Sequence, residues 1–345
     1  MLESRSLPDW AYVQKPVARG LIKVTPQDFK VEEILGFELT DRGEHLYLLI
    51  EKCDMNTLDM VNTLARTLKI DAKHISYAGL KDKQAITRQW ISLYTPGKID
   101  TSRLESGALE FSGFKVLASQ RHASKLKRGA HQANRFEIVI RELSDVQAFD
   151  AALNRVQNQG VPNYFGEQRF GRGGRNIDKA RNLFAGNLKV QRQMRGMYLS
   201  AARSFLFNQV LSERVQQQSW DSGMPGEAFM LDGSNSFFKT DSLDETLRER
   251  LGAFDIHPSV PMWGMGALSS SGAALKLESE VVARYPDLSA GLEACGLRQQ
   301  RRATRLVPEY VSVSRIDDTS FKLNFQLTKG NFATTVLREL ITIDA

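Results

Sequence analysis

The chain has 345 residues, 42% of them hydrophobic and 25% charged, with a net charge of +6. This composition excludes general disorder, the length predicts two domains rather than one core, and no apolar run reaches membrane-spanning length. Two cysteines, Cys53 and Cys295, and five histidines without a His-x-x-x-His or His-x-x-Glu-His spacing exclude a disulfide framework and a recognisable metal cage, so no metal is expected. The opening MLESRSLPDWAYVQKPVARG lacks the basic-then-apolar layout of a signal peptide, which predicts a cytoplasmic protein with no membrane association.

In chain order, GEHLYLLIEK carries an apolar run, Leu46 to Ile50, that predicts a strand buried on both faces. NTLDMVNTLARTLKI follows, with Asn56 or Thr57 as cap and Leu58, Val61, Leu64, Ala65 and Leu68 on one stripe: an amphipathic helix. ITRQWISLYT and FKVLASQ predict further strands. In NRFEIVIREL, Phe136, Ile138 and Ile140 alternate with neighbours of mixed character, as in a half-buried strand. DVQAFDAALNRVQNQG is a helix that ends at Gly160. VPNYFGEQRFGRGGRN then reads as a long loop, followed by helical segments, notably YLSAARSFLFNQVLSERVQQQ, and a Gly/Ser-rich break at GMGALSSSGAAL. Strand texture returns only at SFKLNFQL, before a short closing helix in NFATTVLRELI. A terminal strand of that quality needs a sheet to join. The middle, about 160–308, is therefore read as a domain inserted into a discontinuous domain of 1–159 with 309–345.

Charge is uneven along the chain. RHASKLKRGAHQANR, from Arg121, carries five Lys/Arg and no acid; QRFGRGGRNIDKARN, from Gln168, carries five against Asp178; GLRQQRRATR adds Arg298, Arg301, Arg302 and Arg305. Each run fits a solvated face. Together, interleaved with Phe, Gly, Gln and Asn, they also fit a surface for nucleic-acid phosphates, with Arg169, Arg172 and Arg175 as contacts.

YAGLKDKQAITRQW, Tyr77 to Trp90, places Asp82 between Lys81 and Lys83 in a loop. A solvated turn is one reading; a catalytic acid kept ionised by nearby cations is the other. AGLKDKQAITRQW, ANRF, VPNYFGEQRFG, LSAARSFLFNQ and FATTVLREL, with the opening GLIKVTPQDFKVEE, resemble, in the same order, signatures of the TruD family of tRNA pseudouridine synthases. Residues from about 210 to 300 carry little of the resemblance.

The resemblance implies an α/β (α+β) fold: a pseudouridine-synthase catalytic core with a mixed or antiparallel sheet, interrupted by an inserted α/β TRUD domain. It implies isomerisation of uridine 13 of tRNA to pseudouridine without cofactor; a monomer acting on tRNA is expected. Asp82 matches the catalytic aspartate and Lys23 a basic residue expected to pair with it. Phe136 matches a ring that holds the uracil, Asn134 an amide on the same strand face, and Phe29 and Phe332 contacts near the pocket; core packing is the alternative for all three phenylalanines. Lys81 and Lys83 are either phosphate contacts or plain solvated lysines. Two other readings stay open beside the enzyme. One is a non-catalytic RNA-binding or chaperone protein on the same scaffold. The other takes GRGGRN as a nucleotide phosphate loop, although it lacks the Gly-Lys-Ser/Thr of a P-loop.

Overall fold

The computed structural model describes residues 7–96, 104 and 110–344. The chain forms two compact units. One comprises Val17–Phe149, Pro308–Gly330 and Ile341–Ala345; the other comprises Met1–Pro16, Asp150–Val307 and Asn331–Leu340.

The first unit is built on a mixed sheet. Its strands are β2 (Phe29–Leu35), β3 (His45–Cys53), β4 (Ile75–Tyr77), β5 (Ile86–Tyr94), β6 (Glu110–Phe111), β7 (Phe114–His122), β8 (His131–Ile140), β15 (Glu309–Arg315) and β16 (Phe321–Thr328). They run in the order β15-β16-β8-β2-β5-β3-β7-β6, with β4 also on β5. The β2·β5 pair is parallel and the other pairs of this sheet are antiparallel. A small parallel pair, β1 (Arg19–Gly20) with β17 (Thr342–Ile343), belongs to the same unit. Alternation places Leu46, Leu48 and Ile50 of β3 in a core shared with Ile91 and Leu93 of β5 and with helix α1 (Thr57–Leu68). The buried stripe of α1 is Met60, Val61, Leu64 and Ala65; the predicted Leu58 is exposed, one position off that face.

The second unit packs helices against a small sheet. Strands β10 (Ala228–Leu231), β11 (Phe237–Lys239), β12 (Ile256–Met262) and β13 (Gln300–Ala303) run in the order β11-β10-β12-β13, all antiparallel. β9 (Val161–Pro162) pairs with β14 (Arg305–Leu306). The helices are α2 (Val146–Gln159), which carries the chain across the unit boundary, α3 (Arg175–Phe184), α4 (Arg192–Gln216), α5 (Glu245–Gly252), α6 (Gly272–Ala283), α7 (Pro286–Ala294) and α8 (Ala333–Leu340). The core is centred on α4, whose Ala201, Ala202, Phe207, Val210 and Leu211 are fully buried.

Several sequence expectations need correction. Beyond Gly160, strand texture was expected to return only at the carboxyl end, yet β10 to β13 lie between. The central strand β12, IHPSVPM, contains Pro258 and Pro261, which argue against a strand when the sequence is read alone. The long loop expected from Val161 is interrupted by two 3-10 turns and ends at Arg175, where α3 begins. The compact units also differ from the expected division at both ends of the chain. The amino-terminal segment groups with the middle because Trp10 packs on Tyr164, Phe170 and Phe205. Helix α8 groups there too: Thr335 donates to the carbonyl of Tyr164, and Arg338 to that of Trp10. Among the described residues, no helix is long and apolar enough to cross a membrane.

Candidate active site

One face of the mixed sheet carries a continuous row of directly paired residues: Phe325, Phe136, Val31, Thr87, Lys52 and Phe114. Paired residues on neighbouring strands project to the same side, so this row is a shared surface. One step along it, Leu327 pairs with Asn134 and Asn134 with Glu33. Residues 78–85, between β4 and β5, form a loop that brings Asp82 to these residues.

That loop is tied down at successive positions. Gly129 donates its N–H to the carbonyl of Ala78 at 2.8 Å, and the N–H of Lys81 donates to Thr57 Oγ1 at 3.1 Å. Thr57 in turn donates to Gln89 Oε1, 3.0 Å, inside the core. The ammonium of Lys52 donates to the carbonyl oxygen of Asp82 at 2.7 Å. Ala85 donates to the carbonyl of Lys83 at 2.9 Å. The carboxylate of Asp82, 53% exposed, accepts from Lys23 Nζ at 3.0 Å.

Lys23 reaches Asp82 from a distant part of the sequence. Its φ of +57° is in the left-handed region, which a non-glycine residue rarely adopts. The segment around it is fixed by Leu21, which exchanges both backbone hydrogen bonds with Arg141, and by buried Asp28. Asp28 accepts two hydrogen bonds from the Arg141 guanidinium, at 3.0 and 2.7 Å, and one from the N–H of Thr25. The Arg141 contact holds the Asp28 carboxyl below its ordinary range. The Lys23 ammonium also sits 4.1 Å from the centroid of Phe29, a cation–π contact that fixes it from below.

Lys81 departs from its sequence reading. Its side chain is only 7% exposed; the ammonium pairs with the fully buried Glu33 carboxylate at 2.7 Å and donates to Asn134 Oδ1 at 2.8 Å. It is therefore an internal cation, neither a phosphate contact nor a solvated lysine. The reason is Glu33: a buried carboxylate in a strand needs a partner, and Lys81 is the one supplied. Glu33 also accepts from the N–H of Trp90, 3.2 Å. Replacing Lys81 with methionine leaves the buried Glu33 carboxylate without a counter-ion, and is expected to cost about 3–5 kcal/mol. A urea midpoint unchanged in Lys81→Met would show that Glu33 does not depend on it. Lys83, by contrast, is exposed.

Phe136 is 7% exposed. It stacks on Phe325, centroids 5.2 Å apart at 25°, and meets Phe29 edge-on at 6.3 Å. Both Phe29 and Phe136 are thus built into the sheet's packing. Lys23, Phe29, Lys81, Asp82, Asn134 and Phe136 all fall in the first unit.

Arg169, Arg172, Arg175 and Phe332 belong to the second. Phe332 lies against Phe165, and Arg169 sits over both rings while donating to Ser200 at 3.2 Å. Arg169 is therefore half-buried and held by its neighbours, whereas Arg172 and Arg175 are exposed. The arginine run near residue 300 is mostly internal, contrary to its reading as a phosphate surface. Arg301 pairs with Glu278 at 2.8 Å, Arg302 donates to Asn163 and Asn331, and Arg305 donates to the carbonyls of Leu251 and Ile256.

Lys52 and Glu33 were not singled out from the sequence. The signal was present in Lys52: it shares the parity of Leu46, Leu48 and Ile50, so a lysine falls on the apolar face of its strand.

The family model described as tRNA pseudouridine synthase D (TruD) matches this chain over residues 10–180 and 175–340. The chain belongs to the TruD family. Curated TruD relatives include a tRNA pseudouridine synthase D of Methylococcus capsulatus, 47% identical over 94% of this chain and 92% of that one. Another, of Colwellia psychrerythraea, is 41% identical over 97% and 93% respectively. The fold is shared with a crystal structure titled putative tRNA pseudouridine synthase D (TruD) from Methanosarcina mazei, TM-score 0.73 at 20% identity, covering 99% of this chain and 98% of that one. The mixed α/β architecture expected from the TruD resemblance is thereby established.

Proposed function

We propose that this chain is an isomerase that converts uridine 13 of tRNA to pseudouridine, with Asp82 as the catalytic carboxylate. The observation that carries this reading is the half-exposed Asp82 carboxylate held against Lys23 in a chain of the TruD family. The reaction detaches uracil from C1′, turns it and rejoins it through C5, with no net gain or loss of atoms. A carboxylate serves it either by attacking C1′ or by taking the C2′ proton to leave a glycal. Both roles use the carboxylate oxygens, and the Lys23 ammonium 3.0 Å away holds one of them in place.

The detached uracil has to be retained while it turns. In this reading the ring of Phe136 lies along the base. Asn134 Oδ1 is occupied by Lys81, a donor only, so the amide NH2 is the end directed to a uracil carbonyl. Because the target nucleotide is part of a folded RNA, it must be extruded from its stack before it can reach Asp82. Exposed Lys83, Arg172 and Arg175 contribute to holding the phosphates.

Pseudouridine mapping of tRNA incubated with the purified protein tests the assignment; modification at position 13 is the expected result. RNA binding with no modification at any uridine would replace it with the non-catalytic RNA-binding reading. Neutralising Arg172 and Arg175 together is expected to weaken tRNA binding. It should also lower the slope of log affinity against log salt by about one unit per lost contact. A slope equal to that of the parent would remove these arginines from the RNA surface.

A further inference from the structure

Lys52 is a costly residue for the first unit to bury. It is fully buried, 0% exposed, on a strand whose same-face neighbours are leucine and isoleucine. Among the described residues it enters no ion pair within 4 Å. Its ammonium is directed to a main-chain oxygen, that of Asp82, at 2.7 Å. Burial pushes its pKa down to about 8, against the pull of the nearby Asp82 charge and with the push of Lys81. A buried charge without a carboxylate against it lowers stability, and an apolar side chain of the same length removes that cost. A residue kept at such expense is explained by what its hydrogen bond fixes.

What it fixes is the backbone of the loop at Asp82 itself. Lys23 holds the carboxylate, and Lys52 holds the carbonyl of the same residue, so the two cations clamp opposite ends of one aspartate. The Thr57 contact to the N–H of Lys81 secures the Leu80–Lys81 peptide. With the carbonyl released, the loop from Lys81 to Ala85 keeps its ends but can rotate its middle, and the carboxylate moves with it.

We propose that Lys52 is a positioning residue for the isomerisation: through the Asp82 carbonyl it sets where the Asp82 carboxylate stands relative to C1′ of the bound nucleotide. This rests on the reading of Asp82 as the catalytic group. Lys52 itself touches no substrate atom and acts wholly through the loop.

The test compares Lys52→Met with the parent and with Asp82→Asn, on three readouts: melting temperature, tRNA dissociation constant, and single-turnover rate at saturating protein. For Lys52→Met the expected results are a melting temperature equal to or above the parent's, a dissociation constant within about twofold, and a rate about 100-fold lower, the scale of a 1 Å misplacement. A purely structural lysine would instead lower the melting temperature and leave the rate per folded molecule unchanged. A folded Lys52→Met that turns over at the parent rate overturns the proposal. Should it not fold, Lys52→Gln, whose side chain is too short to span to the carbonyl, is read against the same thresholds. If neither folds, Lys52 supports the fold rather than the loop, and the proposal is likewise overturned. Asp82→Asn separates the two layers. Full activity in it removes the reading beneath, whereas its inactivity beside an active Lys52→Met removes only the role of Lys52.

Discussion

Asp82→Asn is expected to abolish pseudouridine formation, by at least about 10⁴-fold in the single-turnover rate, while leaving tRNA affinity close to that of the parent. Asparagine keeps the shape of the side chain and can still accept a hydrogen bond from Lys23. It supplies neither a nucleophile for C1′ nor a base for C2′, so both chemical routes fail together. The fold should tolerate the change, because the Asp82 side chain is 53% exposed and its ion pair with Lys23 is not buried. The loop's tethers, from Thr57, Lys52 and Gly129, all bind main-chain atoms that the substitution does not alter. Loss of turnover with retained melting temperature and retained binding is thus the specific signature. Appreciable conversion by a single turnover of pure Asp82→Asn would place the catalytic carboxylate elsewhere.

The parts of this molecule that were legible in the sequence are those written in local pattern. The period-2 alternation of Phe321, Leu323, Phe325 and Leu327 gave β16, and the stripe through Val61, Leu64 and Ala65 gave α1. Gly160, at φ +75°, stands where the helix before it was expected to end. Contacts between distant segments left no such local trace. Lys23 and Asp82 are 59 residues apart, and their pairing was expected from family resemblance, not from spacing. The partner of Lys81 is Glu33, on strand β2, so a lysine in a Gly-Leu-Lys-Asp-Lys loop looked solvated until the sheet set Glu33 beside it. The same holds for Arg301: four basic residues within eight positions resemble a surface patch, but Glu278, which neutralises Arg301, comes from helix α6. Charge counted along a chain does not reveal the charge facing it.

Phe136 decides how far the packing and the chemistry of this site share one residue. Truncating it in Phe136→Ala is expected to destabilise the fold by about 3–5 kcal/mol, since the cavity would open between Phe325 and Phe29. The sequence alone allowed a ring that serves the base rather than the core, with a mild stability cost; burial to 7% exposure makes the large cost the expected one. If the ring also lies along the uracil, a second loss follows that stability does not explain. At a temperature where Phe136→Ala remains folded, its single-turnover rate should fall by about 5- to 150-fold, the equivalent of roughly 1–3 kcal/mol of base stacking. Leu323→Ala is the control. It opens a cavity in the neighbouring strand at a comparable stability cost and touches no proposed contact of the base, so its rate per folded molecule should match the parent's. Phe136→Tyr refills the volume and keeps the aromatic face; it should melt close to the parent and retain most of the rate. A Phe136→Ala protein as active per folded molecule as Leu323→Ala would return Phe136 to the core alone, and the uracil would have to be held by another group on the Asn134 side of the row.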